Sequence, residues 1–192
     1  MVATLLLACS ESPRSNAGSE AAPTPAIQVT DDAGNSLGSV ALTAACVPEA
    51  SIRVARGLAL LHNMTHVEAG DEFRRATEID PGCALGYWGQ AVSWVHPVWP
   101  DVPSEDQFAR GWDLLQKARS VGFDSKREER WVEALEAYYA DGLDRTEPER
   151  LADYADAWAR VSEEDPGDLE ARLFTAISPE EAKSLSQSPE VR

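Results

Sequence analysis

Between residues 55 and 81 the chain reads ARGLALLHNMTHVEAGDEFRRATEIDP, and its apolar residues recur three and four apart in two runs separated by a single turn. Such spacing predicts two helices lying side by side as a hairpin, each with one buried face. Gly57, Leu58 and Leu61 share a face of the first run, and Val67, Ala69, Phe73 and Ala76 form the facing stripe of the second. Small residues at Gly57 and Ala69 let the backbones approach, and the bulky Phe73 ring fills the space beside them. Thr65 followed by Glu68 has the spacing of a capping box that starts the second helix, and Asp80-Pro81-Gly82 stops it. Pro48 suits the first turn of a helix running to about His62.

The pattern returns twice. A helix from about 83 to 95 carries Tyr87, Ala91 and Trp94 on one stripe, the loop HPVWPDVP follows, and Ser104-x-x-Gln107 is a second capping box. Gly111-x-x-x-Leu115-x-x-Ala118 then repeats the spacing of Ala69, Phe73 and Ala76. Ser125-x-x-Glu128 starts a helix with Trp131, Leu135 and Tyr138, and Thr146-x-x-Glu149 starts its partner, in which Tyr154, Trp158, Val161 and Pro166 fall at the same intervals. Asp165-Pro166-Gly167 repeats Asp80-Pro81-Gly82, so a further helix is predicted from Asp168, with Ala176 placed as Ala91 is.

A small residue in the first helix, Ala69-x-x-x-Phe73-x-x-Ala76 in the second and Pro81 beyond it resemble the tetratricopeptide repeat, with departures at Arg53, Arg56 and Leu60. Leu60, Leu61, His62, Ala69, Phe73, Asp80, Pro81, Cys83, Ala84, Tyr87, Trp88 and Gly89 resemble more narrowly a group of bacterial exported tetratricopeptide proteins reading LLHSF…A…F…DPxCAMAYWG. Asn63 and Met64 stand where that group has Ser-Phe. The resemblance implies an all-α fold over residues 47–177, with antiparallel helical hairpins stacked as a right-handed solenoid.

The 192 residues allow one domain, because roughly 150 remain once the polar N-terminal stretch is set aside. Seventeen basic against thirty-three acidic residues give a formal net charge of −16, a field that repels nucleic acid and anionic membranes. At the N-terminus, MVATLLLA at 1–8 followed by Cys9 resembles a partial lipoprotein signal, with Cys9 as the lipidated residue. Residues 9–26, rich in Ser, Ala, Pro and Glu, read as a disordered tether. Residues 27–46 read as an extended lead-in against the first helix, with a turn at 31–35. Residues 178–192 hold too few apolar positions for another hairpin, so they read as a short capping helix or frayed tail, or the array is a truncated piece. An exported protein is expected, lipid-anchored to a bacterial membrane or periplasmic, touching the membrane through lipid alone.

His62 and His96 lie one repeat length apart, each ending the first helix of its hairpin, and His66 follows His62 across the turn. Stacking would make them neighbours, either as a metal or haem ligand set or as helix-terminating residues that satisfy carbonyls. Cys46 and Cys83 each precede the first helix of successive repeats, so stacking in an exported compartment that permits oxidation predicts a disulfide between them, the alternative being two buried thiols in a cytosolic protein. On the side such repeats turn toward their concave groove, Ser51, Val54, Leu58, Leu61, His62, Leu85, Trp88, Val92 and Val95 would line an apolar channel for an extended peptide or amphipathic helix, or several of them are covered by a following repeat or by the lead-in segment. No nucleophile–base pair and no phosphate-cradling glycine loop is present, and no cofactor is called for. The reading is a non-catalytic protein-interaction scaffold of the cell envelope. The alternative is a small-ligand or metal-binding accessory protein using His62, His66 and His96.

Overall fold

A computed structural model describes residues 26–177 except 32 and 43. Lipidation at Cys9, the tether and the tail from 178 onward lie outside the described residues. Among those residues are seven α-helices: α1 (Pro48–His62), α2 (His66–Ile79), α3 (Ala84–Val92), α4 (Glu105–Val121), α5 (Lys126–Tyr139), α6 (Glu147–Glu164) and α7 (Leu169–Ala176). The lead-in is a two-stranded antiparallel sheet, β1 (Ile27–Thr30) and β2 (Ser36–Val40). Its turn is tied by the Asp31 carboxylate, which accepts from the Ala33 and Asn35 backbone N–H groups at 2.9 and 2.8 Å. Val29, Val40 and Leu42 are buried and join the helical core.

Helix starts follow local chemistry. Complete capping boxes open α4 at Ser104 with Gln107 and α6 at Thr146 with Glu149. Ser125 caps α5, but its Glu128 turns away to accept the Ala45 N–H at 2.7 Å, which fastens the lead-in to the third helix pair. Burial pushes the Glu128 carboxyl above the usual range, against that N–H. At Thr65 the expected box is absent. Its hydroxyl donates to the Leu60 carbonyl at 2.9 Å, one of the orphan acceptors at the end of α1.

Each helix packs against the next, and α3 also touches α1 on one side and α5 on the other. Two expected stripes are corrected. Val67 is 79% exposed, because a residue two before Ala69 points to nearly the opposite side of α2. On α3 the inward face is carried by Leu85, Trp88 and Val92, while Tyr87 and Trp94 are half-buried. Ala176 is exposed, unlike Ala91.

Phe73 is the wedge of the first turn of packing. Its ring lies against the backbone of Gly57, where an added Cβ would come within 2.8 Å, and against Gly89, where a Cβ would fall inside the ring's own envelope. With both sides closed, the ring cannot retreat. Gly89→Ala is therefore expected to cost about 1–3 kcal/mol by overpacking, seen as a lowered urea midpoint at unchanged slope. Phe73→Leu in the same chain is expected to restore part of the loss.

Aromatic rings from α3, α5, α6 and α7 meet in the core. Trp88 touches Trp131, Trp158 and Phe174 with ring centroids at 5.0, 6.4 and 5.7 Å, and Trp158 stacks on Phe174 at 4.5 Å. Two of the polar handles are satisfied by backbone and one by a carboxylate: Trp88 Nε1 donates to the Trp131 carbonyl at 3.1 Å, the Tyr139 hydroxyl to the Ala91 carbonyl at 2.9 Å, and Trp131 Nε1 to Asp168 at 2.9 Å. Cys46 and Cys83 are joined as a disulfide between the start of α1 and the start of α3.

Candidate functional site

No open groove runs along the expected channel. Trp88 is 0% exposed, Val54, Leu58, Leu61, Leu85, Val92 and Val95 are also buried, and Ser51 and His62 are partly covered. The cause is non-local. Trp131, Trp158 and Phe174, from α5, α6 and α7, occupy the space a peptide would have used. Those seven apolar residues are core, and the expectation that they form a binding surface is corrected.

The three histidines gather at one end of the fold but do not converge on a point. His62, the last residue of α1, meets Glu170 of α7 through Nε2 at 2.6 Å, and Glu170 is only 2% exposed. His96 meets Asp101 through Nδ1 at 2.5 Å and the Ser93 carbonyl through Nε2 at 3.1 Å. That hydrogen bond from His96 is the main reason the Asp101 carboxyl lies below its ordinary value. His66, the first residue of α2, stands edge-on to His96 with centroids 4.3 Å apart, and both its ring nitrogens are buried without a hydrogen-bond partner. Among the described residues, no group of three or more His, Cys, Asp or Glu side chains could hold a metal ion.

His66 stands between two spaces. On one side is a cavity of about 20 Å³ shared with His62, Met64, Tyr154 and Phe174; on the other is an open cleft of about 420 Å³ bordered by Val67, Trp94 and His96. Met64, in the turn before α2, has a left-handed backbone with φ 60° and is exposed at the edge.

Burial, and then the neighbouring His96, lower the His66 imidazole from 6.5 to about 4, with Asp101 acting the other way. The unfolded chain thus binds a proton that the folded chain resists. The stability held by neutral His66 is complete above pH 6.5 and is lost as pH falls from 6.5 to about 4. Solvent reaches part of the ring, so the loss is expected to be about 1–2 kcal/mol. Urea unfolding at stepped pH checks it, and His66→Phe should flatten the slope in that window.

Sequence reasoning missed the carboxylates. Asp101 lies five residues from His96, within local reach, whereas Glu170 is 108 residues from His62 and carries no local signal. It also left Arg53 and Arg56 as unexplained departures. They serve Glu72, which is 3% exposed and meets Arg53 at 3.0 Å, Arg75 at 2.6 Å and the Arg56 Nε at 3.7 Å. No protein-family model, no curated protein and no solved structure gives a significant match to the chain.

Proposed function

We propose that the chain is a tetratricopeptide-like interaction module of the bacterial envelope, built from stacked antiparallel helical hairpins, which binds a protein partner through its histidine end. The stacking reading draws on α3 packing against both α1 and α5 while each helix also packs on its successor. An oxidising compartment is consistent with the Cys46–Cys83 bond.

One observation carries the choice of surface. The inner face is filled, yet Met64, Val67, Val98 and Trp99 remain exposed around the turn before α2 and the loop after His96, and His66 sits between the two clefts there. Apolar side chains concentrated in two neighbouring connections are what a partner would cover. The competing metal or haem reading is favoured less, because His96 has both ring nitrogens engaged, by Asp101 and by the Ser93 carbonyl, and among the described residues no group of three or more His, Cys, Asp or Glu side chains could hold a metal ion.

A photo-crosslinking residue at position 67, with position 116 on exposed α4 as control, tests the surface in intact cells. The expected result is a discrete adduct from 67 that is absent from 116 and is lost in Val98→Asp. Equal labelling from both positions would overturn the assignment.

A further inference from the structure

A separate cleft of about 430 Å³ lies between α4 and the turn joining α5 to α6. One wall is α4, with Phe108 and Trp112 four residues apart on one face; Tyr139 and Leu143 stand across from them. Phe108 and Tyr139 are buried, but Trp112 is 37% and Leu143 52% exposed, so two large apolar groups line the same opening. Glu105 and Asp141 supply the charge of the lining, and both are acidic and exposed.

The cleft is built rather than incidental. The turn uses left-handed backbone at Asp141 and Gly142, with φ of 60° and 64°. It is braced by Arg150, which donates to the Gly142 and Arg145 carbonyls at 3.3 and 2.7 Å, and by Arg145, which donates to the Ala140 carbonyl at 3.3 Å. The Arg150 guanidinium stands 4.9 Å from the Phe108 ring centre, does not line the cleft, and is paired with Glu147 at 3.2 Å.

The geometry points to a binding site for a small organic cation, an alkylammonium group bearing apolar substituents, seated against the Trp112 indole. Each feature selects the same ligand. An indole face is the strongest aromatic partner for a cation, and methylated nitrogen also fills apolar space beside Leu143. Glu105 and Asp141 are exposed, so they attract a cation to the opening and repel an anion without excluding a neutral occupant, which the isostere control below tests. The volume falls within the usual range for small-molecule sites, and the net charge of −16 raises the local cation concentration. The cation could be free or carried on a partner's methylated lysine.

The test is a titration of the whole chain with choline, read from tryptophan indole N–H resonances at constant ionic strength. Its neutral isostere, 3,3-dimethylbutan-1-ol, is the control. The Trp112 indole should shift saturably with choline and at least about ten-fold less readily with the isostere, while the buried Trp88, Trp131 and Trp158 stay still. Trp112→Leu should abolish binding, and Glu105→Gln with Asp141→Asn should weaken it several-fold; Asn tolerates the left-handed backbone at 141. An equal response to the isostere, or a shift elsewhere that survives Trp112→Leu, overturns the proposal, as does a linear, unsaturable response. A trimethyl-lysine peptide that binds tighter than choline supports a partner side chain as the source, and equal affinity supports the free cation.

Discussion

Asp168→Ala is expected to remove about 3–5 kcal/mol of folding stability, among the largest single-residue losses available in this chain. Asp168 is 4% exposed and its two oxygens serve five donors. Arg127 Nη2 and Nε reach it at 2.7 and 2.9 Å, Trp131 Nε1 at 2.9 Å, and the backbone N–H groups of Glu170 and Ala171 at 3.1 and 3.2 Å. Truncation leaves the Arg127 charge uncompensated beside the Trp131 ring and the indole N–H unpaired, and it removes the cap of α7. Helix α7 is short and holds Glu170 and Phe174, so its loosening reaches His62 and the aromatic core together. Asp168→Asn keeps a capping oxygen while losing the charge, so its cost should be clearly smaller. Chemical unfolding followed by near-ultraviolet circular dichroism separates the two variants, and a loss under about 1 kcal/mol for Ala would show that the hub is dispensable.

How far the sequence could be read depended on the range of the interaction concerned. Ser104 and Thr146 announce their helices because a cap bonds only three residues ahead. Thr65 has the same spelling and a different outcome. The end of α1 lies one short turn away, and the Leu60 carbonyl accepts both the Thr65 N–H at 3.0 Å and its hydroxyl. Ala69, Phe73 and Ala76 were legible through their spacing, but the role of Gly89 as the second side of the Phe73 clamp required knowing where α3 lies.

The inner face was harder. On α3 the residues Ala84, Leu85, Gly86, Trp88, Gly89, Ala91 and Val92 are all buried, so the helix has no polar stripe to set its rotation. The resemblance to a repeat family says which side faces a groove, but not whether later segments close it. Trp158 and Phe174 do close it, from far along the chain. Buried acids were hidden for a related reason. In a chain with thirty-three acidic residues, Glu72, Glu128, Asp168 and Glu170 look like solvated charge until their partners are seen.

Removing the Cys46–Cys83 bond by Cys46→Ala with Cys83→Ala is expected to cost about 2–4 kcal/mol, by the chain-entropy argument applied to a sequence separation of 37. The bond fastens the segment entering α1 to the segment entering α3, so its loss should fall first on the docking of the first helix pair and the lead-in. Two contacts remain at that corner: the Val47 N–H donates to Asp80 at 2.9 Å, and α1 still packs on α3. They cannot replace the lost constraint, because it acts on the unfolded chain as much as on the folded one. Unfolding with and without reductant measures the effect. The native chain should drop to the stability of the double variant under dithiothreitol, and the variant should ignore it. A native chain equally stable in both conditions would mean that the Val47–Asp80 hydrogen bond and the α1–α3 packing suffice to fix this corner.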